Sequence, residues 1–160
     1  MVDKAYDAYQ KWLTLDPNNK AAMNNRAWML VENYSPPRIQ EAMDLITKAV
    51  GPNPIDGQMD LNLEDTHGWL LILSGDTAKG VDELNTVVDT RPSPETYLHL
   101  GEGYLLLQRP EEAQDQAKLG LAIVSKQDPK VQDSTLLAKL QDLSARADKM
   151  AKSKQSAQAQ

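Results

Sequence analysis

The chain encodes an all-α solenoid of antiparallel helix pairs, and three features point to it. The stretch from Asp65 to Pro92 has a spacing that recurs downstream: Gly68 and Gly101 lie 33 residues apart, as do Leu71 and Tyr104, Leu73 and Leu106, and Gly80 and Ala113. Self-similarity at such a period marks units too small to bury their own apolar faces, which must therefore stack on neighbours. Apolar residues between the punctuation follow helical spacing. The punctuation itself is proline and glycine, placed where helices must start or stop.

The elements follow in order. Ala5, Tyr9, Trp12 and Leu13 form a helical stripe closed by Asp16-Pro17-Asn18-Asn19. This reads as the second helix of an incomplete pair, residues 3–17, either cut from a longer array or capping the stack. Repeat one covers about 19–54. Its first helix carries Met23, Ala27, Leu30 and Val31 and must stop before Pro36-Pro37, since proline lacks an amide donor and restricts its predecessor. Its second, from about Pro37 to Val50, carries Ile39, Ala42, Met43, Ile46 and Ala49 and ends at Gly51-Pro52. GPNPIDGQMD is then expected to be a solvated loop.

Repeat two, 60–92, has helices over Leu61–Ser74 and Thr77–Thr90, with Gly75 closing the first and Asp76 starting the second. Repeat three, 94–125, opens on Ser93-Pro94, an N-cap followed by proline in the first turn. Pro110 starts its second helix, in which Ala113, Ala117, Leu121 and Val124 make the buried stripe. Asp128-Pro129 repeats the start signal for a final helix over 129–152, with Leu136, Leu140, Leu143, Ala147 and Met150 on one face. That helix reads as a solubilising cap, and its spacing also suits a short coiled-coil seam. Residues 1–153 thus read as one domain and 154–160 as a disordered tail.

Composition narrows the function. The net charge is −6, which disfavours nucleic acid as a partner because phosphate binding needs a basic face. Lys149, Lys152 and Lys154 are the only basic cluster. No cysteine is present, which excludes disulfides, thiolate metal sites and thiol catalysis. There is no apolar run long enough to span a membrane, and the first residues lack the apolar core of a secretory signal. The chain should fold and stay soluble.

The residues now carry a family resemblance. Tyr97, Leu100-Gly101, Tyr104 and Ala113 resemble the tetratricopeptide repeat (TPR) closely, Gly68, Leu71, Leu84 and Pro92 fit the preceding unit, and Ala5, Tyr9 and Pro17 fit the second half of the incomplete unit at 3–17. The resemblance covers roughly residues 3–125. It departs from the family pattern at Ala27, which replaces glycine, and at Gly80 and Gly120, where alanine is usual. Small residues at Gly68, Gly101 and Ala113 are expected where helices approach closely.

The resemblance implies a right-handed superhelix whose first helices line a concave groove. It places Asn24, Trp28, Val31, Asn62, Asp65, Trp69, Ile72, Glu95, Leu98, Glu102 and Leu105 there. A family member that clamps a chaperone's C-terminal carboxylates uses lysines, arginines and asparagines. Here only Asn24 matches, so a mixed apolar and basic peptide or helix is the expected ligand. Trp28 and Trp69 occupy matching positions, as anchors for that ligand or as packing inside the array.

Catalytic readings are poor. His67 should be a satisfied core histidine. His99 and Glu102 share a helix face, but two ligands would hold a metal only weakly. GEG at 101–103 lies inside a helix without the strand a dinucleotide loop needs. Asn33-Tyr34-Ser35 matches a glycosylation acceptor, a short motif common by chance. No catalytic residue, metal site or cofactor is expected. The chain reads as a non-enzymatic scaffold that binds a protein or peptide in the groove. The alternatives are a homo-oligomerisation module using the N-terminal half-repeat edge or the C-terminal helix, and binding through the convex face.

Overall fold

In the computed structural model the chain is helical wherever it is regular, and residues 2–51, 60–128, 130 and 132–158 are described. Among them run eight helices and no strand: α1 (Val2–Leu15), α2 (Lys20–Glu32), α3 (Ile39–Val50), α4 (Leu61–Ser74), α5 (Thr77–Thr90), α6 (Pro94–Leu106), α7 (Pro110–Val124) and α8 (Ser134–Gln158). The expected loop at 52–59 and the start signal at Pro129 lie outside the described residues.

Side chains set the starts of α2, α4 and α6. The Asn19 amide oxygen accepts from the Ala22 N–H at 2.9 Å, and the Asp60 carboxylate accepts from the Asn62 N–H at 2.9 Å. Ser93 accepts from the Thr96 N–H at 3.1 Å, with Pro94 in the first turn of α6. Each supplies an acceptor to an amide that has no partner within its helix. Gly75 ends α4 in the left-handed region at φ 101°, where a Cβ would be strained.

Three boundaries differ from the sequence expectation. α3 begins at Ile39 rather than Pro37, because the chain is still reversing at Arg38, whose N–H donates back to the Leu30 carbonyl at 2.9 Å. α8 begins at Ser134 rather than 129, where the Asp133 carboxylate accepts from the N–H groups of Thr135 and Leu136 at 2.8 and 3.1 Å. It also continues past 152, so residues 154–158 are helical. Its last turns are built of Ala, Lys, Gln and Ser and supported by a Lys152–Asp148 pair at 2.6 Å, one turn apart.

The helices fall into two compact units, Met1–Asp76 and Thr77–Gln160. In the first unit α1 packs on α2, α2 on α3 and α3 on α4, and α2 also touches α4. The second unit repeats this order, with α5 on α6, α6 on α7, α7 on α8, and α6 touching α8. The last helix of each unit therefore rests on both helices of the pair before it. Stacked helix pairs bury their apolar stripes in this way.

The first unit's core joins Met23, Ala27, Leu30, Ala42, Ile46, Leu63 and Leu70, with Trp69 and Leu73 packed against it. Full burial of its methionine, leucine and isoleucine side chains contributes about 1.5–3 kcal/mol each. A polar cluster ties three helices above this core. The Tyr6 hydroxyl donates to Glu41 Oε1 at 3.1 Å and accepts from Arg26 Nη2 at 2.7 Å, while Arg26 and Arg38 pair with Glu41 at 3.1 and 2.6 Å. Tyr34 meets Tyr6 edge-on at 6.1 Å.

In the second unit Leu84, Leu100, Val124, Leu140 and Leu143 are almost fully buried. α8 seats on two glycines. Leu143 fills the space where a Gly101 Cβ would be, and Leu140 does the same at Gly120. Gly101 thus permits a close approach, but to α8 rather than to the neighbouring helix of its own pair.

Candidate functional site

The residues expected in the groove fall on both sides of the unit boundary, and each unit holds its own set. In the first unit Asn62 is exposed, and its amide nitrogen donates to Asp60 at 3.0 Å, so it supports the start of α4. Asn24, Trp28, Asp65 and Trp69 are half-buried. Trp69 packs against the unit's core. The Asn24 amide oxygen is shielded from solvent and has no hydrogen-bond partner among the described residues, so it faces inward. Ile72 is 2% exposed and offers no side-chain surface to a ligand.

In the second unit Leu98 and Leu105 are buried, at 7% and 6% exposure, and Glu102 is half-buried. Ile72, Leu98 and Leu105 are thus mostly covered within their own units, so little of each side chain reaches solvent. The helical period identifies an apolar position without saying whether a later helix covers it. His99 is likewise buried at 3%, whereas His67, expected in the core, is half-buried.

Glu102 and Leu105 are brought together in one place, a cleft of about 540 Å³ between α6 and α8. From α6 it is lined by Glu102, Leu105 and Leu106, and from α8 by Arg146, Lys149 and Met150. Both sets have helical spacing, so each helix contributes one continuous ridge. Leu106, at 61% exposure, stands at the edge as apolar surface in water.

The charges around the cleft are mostly committed. Both terminal nitrogens of Arg146 donate to the Glu102 carboxylate, one of them at 3.0 Å, and its Nε donates to Asp142 at 2.6 Å. The hydrogen bonds that Arg146 donates to Glu102 raise its guanidinium above its ordinary value, against the opposing effect of burial. Lys154 Nζ donates to the Gln108 carbonyl at the end of α6. Lys149, exposed between these groups, makes no ion pair among the described residues.

Sequence reasoning missed the α8 half of this cleft. Met150 is visible as part of an apolar stripe and Lys149 as part of a basic cluster, but that cluster was expected in a frayed or disordered Ser/Gln/Ala tail. The arrangement is suited to binding. Glu102, the carboxylate that shares a helix face with His99, is held by Arg146. Among the described residues no three His, Asp or Glu side chains gather closely enough to hold a metal, and no helix is long and apolar enough to cross a membrane.

Two solved structures share the fold. One crystal structure of MamA protein aligns with a TM-score of 0.57 over 94% of this chain and 79% of that one, at 18% identity. A second MamA crystal structure aligns with a TM-score of 0.56 over 97% and 91%, at 16% identity. No family model and no curated protein sequence matches the chain. The chain is all-α and built of TPR-like helix pairs, the fold of MamA.

Proposed function

We propose that the chain is a protein-interaction scaffold that holds a peptide or helix of a partner protein along its first helices, with the α6–α8 cleft as a principal seat. The reading rests on that cleft, where two of the expected groove residues meet exposed apolar surface beside charged groups. Likeness of fold to MamA is consistent with a scaffold of helix pairs. The net charge of −6 makes a phosphate backbone a poor match, so the expected partner is protein rather than nucleic acid. No catalytic residue or cofactor enters this reading.

A displayed library of random 16-residue peptides, selected on the full chain, tests it. Enriched peptides should lose most of their binding to Leu106→Gln, a change at an exposed position that should leave the helical content unaltered. Selection that enriches nothing, or enriches only peptides indifferent to Leu106→Gln, would count against the cleft as a seat.

Exposed apolar surface on α1 favours a second reading, self-association through the N-terminal edge. Trp12 is 47% exposed and Leu15 87%. Light scattering across a concentration series should then show a dimer that the double change Trp12→Gln, Leu15→Gln converts to a monomer. A monomer at every concentration removes this reading.

A further inference from the structure

We infer that the α6–α8 cleft takes an amphipathic helix of a partner protein that carries an acidic residue beside its apolar anchor, the opposite charge to the one the chain's overall acidity suggests. The inference rests on the cleft being a partner seat, as proposed above, and specifies the chemistry of the occupant.

Shape favours a helix. α6 and α8 touch, and their lining residues recur at three and four positions along each helix, which leaves a furrow between two ridges. A third helix fits such a furrow by placing its own row of side chains between those ridges. Leu105, Leu106 and Met150 form the apolar floor and edge, and Leu106 has most of its surface in water until something covers it.

Charge fixes the flank of that helix. The acidic balance of the chain is not spread evenly. Residues 1–76 hold 6 Lys and Arg against 11 Asp and Glu, whereas residues 77–160 hold 11 against 12. No Lys or Arg occurs between Lys48 and Lys79, so α4 carries Glu64 and Asp65 with no Lys or Arg of its own. α8 has the reverse character, with Lys139, Arg146, Lys149, Lys152 and Lys154 against Asp142 and Asp148. At the cleft Arg146 takes both oxygens of Glu102, the carboxylate of the lining, while Asp142, which gives one oxygen to Arg146, stands outside that lining. Lys149 is the exposed cation beside Met150, and among the described residues no carboxylate pairs with it. A ligand acid one turn from the buried anchor would meet this ammonium. A ligand lysine in the same place would meet Lys149 with like charge.

Three synthetic 18-residue helical peptides, identical except for Glu, Gln or Lys one turn from a central leucine, separate the outcomes by fluorescence anisotropy on the full chain. The Glu peptide should bind about three- to ten-fold more tightly than the Lys peptide at low salt, with the gap narrowing as salt rises. Lys149→Glu should reverse the order, and Lys149→Met should bring the three peptides close together. An order favouring Lys, or a Glu-to-Lys ratio that ignores both Lys149 variants, overturns the charge assignment. In that case, weaker binding of all three peptides to Leu106→Gln would still leave the cleft as a seat. If no peptide binds, or Leu106→Gln changes nothing, the seat and the inference fall together.

Discussion

A Cβ added at Gly101 would overlap Leu143 Cδ2 and lie 3.2 Å from its Cγ, whereas at Gly120 it would come 2.7 Å from Leu140 Cδ2. Both leucines are fully buried and have little room to retreat. Alanine gains about 1 kcal/mol over glycine in a helix interior, while overpacking a core costs about 1–3 kcal/mol. The two effects nearly cancel at Gly120. At Gly101, where more of Leu143 is in the way, overpacking wins. Gly101→Ala should therefore destabilise by about 1–2 kcal/mol and Gly120→Ala by close to zero, read from urea melts. A stabilised Gly101→Ala would mean that α8 moves freely on its seat. Burial decides another contrast. Ile72→Glu places a carboxylate where the side chain is 2% exposed and should cost at least about 3 kcal/mol, visible as lost helical signal. Leu106→Gln, on exposed surface, should not. The small residue at 101 was legible in the sequence as a close approach. Its partner was not, because periodicity defines a helix face and leaves open which helix covers it.

Helix ends were largely legible, because caps act over a few residues. Ser93, Pro94 and Pro110 stand where the starts are and Gly75 where α4 ends, whereas Asn19 and Asp60, read as turn and loop residues, prove to cap α2 and α4. The starts of α3 and α8 were misplaced because a proline near a helix does not say how far beyond it the chain keeps turning. The polar cluster holding α1 left no trace in the sequence, since Tyr6, Arg26 and Glu41 are brought together only by the packing of three helices. It predicts that Tyr6→Phe, which removes one hydroxyl bonded to two charged groups, costs about 1–2 kcal/mol. Hydrogen exchange should then quicken in α1 first, and unchanged rates there would make the cluster incidental. α7 offers a test by pH. Glu112 is held below its ordinary carboxylate range first by its own backbone N–H and then by the Arg109 side chain, at 2.9 Å. A depressed carboxyl stabilises the fold above its unfolded value and loses that contribution as pH falls through the folded one. Nothing should change near neutrality. In an NMR titration Glu112 should have its midpoint below that of an ordinary glutamate, and Arg109→Gln should raise it. A midpoint indifferent to Arg109→Gln would assign the whole shift to the backbone.

Two units of four helices each raise the question of whether the chain unfolds once or twice. In stacked-pair folds each helix contacts only its near neighbours, so stability is local and cooperativity depends on how strongly adjoining pairs are coupled. The sequence supplies a probe for each case. All three tryptophans, Trp12, Trp28 and Trp69, lie in the unit Met1–Asp76, so their fluorescence follows that unit, while helical ellipticity follows both. Leu140→Ala empties a fully buried position in the second unit and should cost about 2–5 kcal/mol there. If the units unfold separately, that substitution moves the ellipticity transition to lower urea and broadens it, while the fluorescence transition stays in place. That is the expected result, since non-coincident probes mark loss of two-state behaviour and the helix order is complete within each unit. Fluorescence and ellipticity shifting together by the same amount would instead make the 160 residues one cooperative body. Local unfolding of the second unit would also open the α6–α8 cleft independently of the first. Ligand binding at that cleft should then raise the ellipticity midpoint alone, which links partner binding to one unit's stability through mass action.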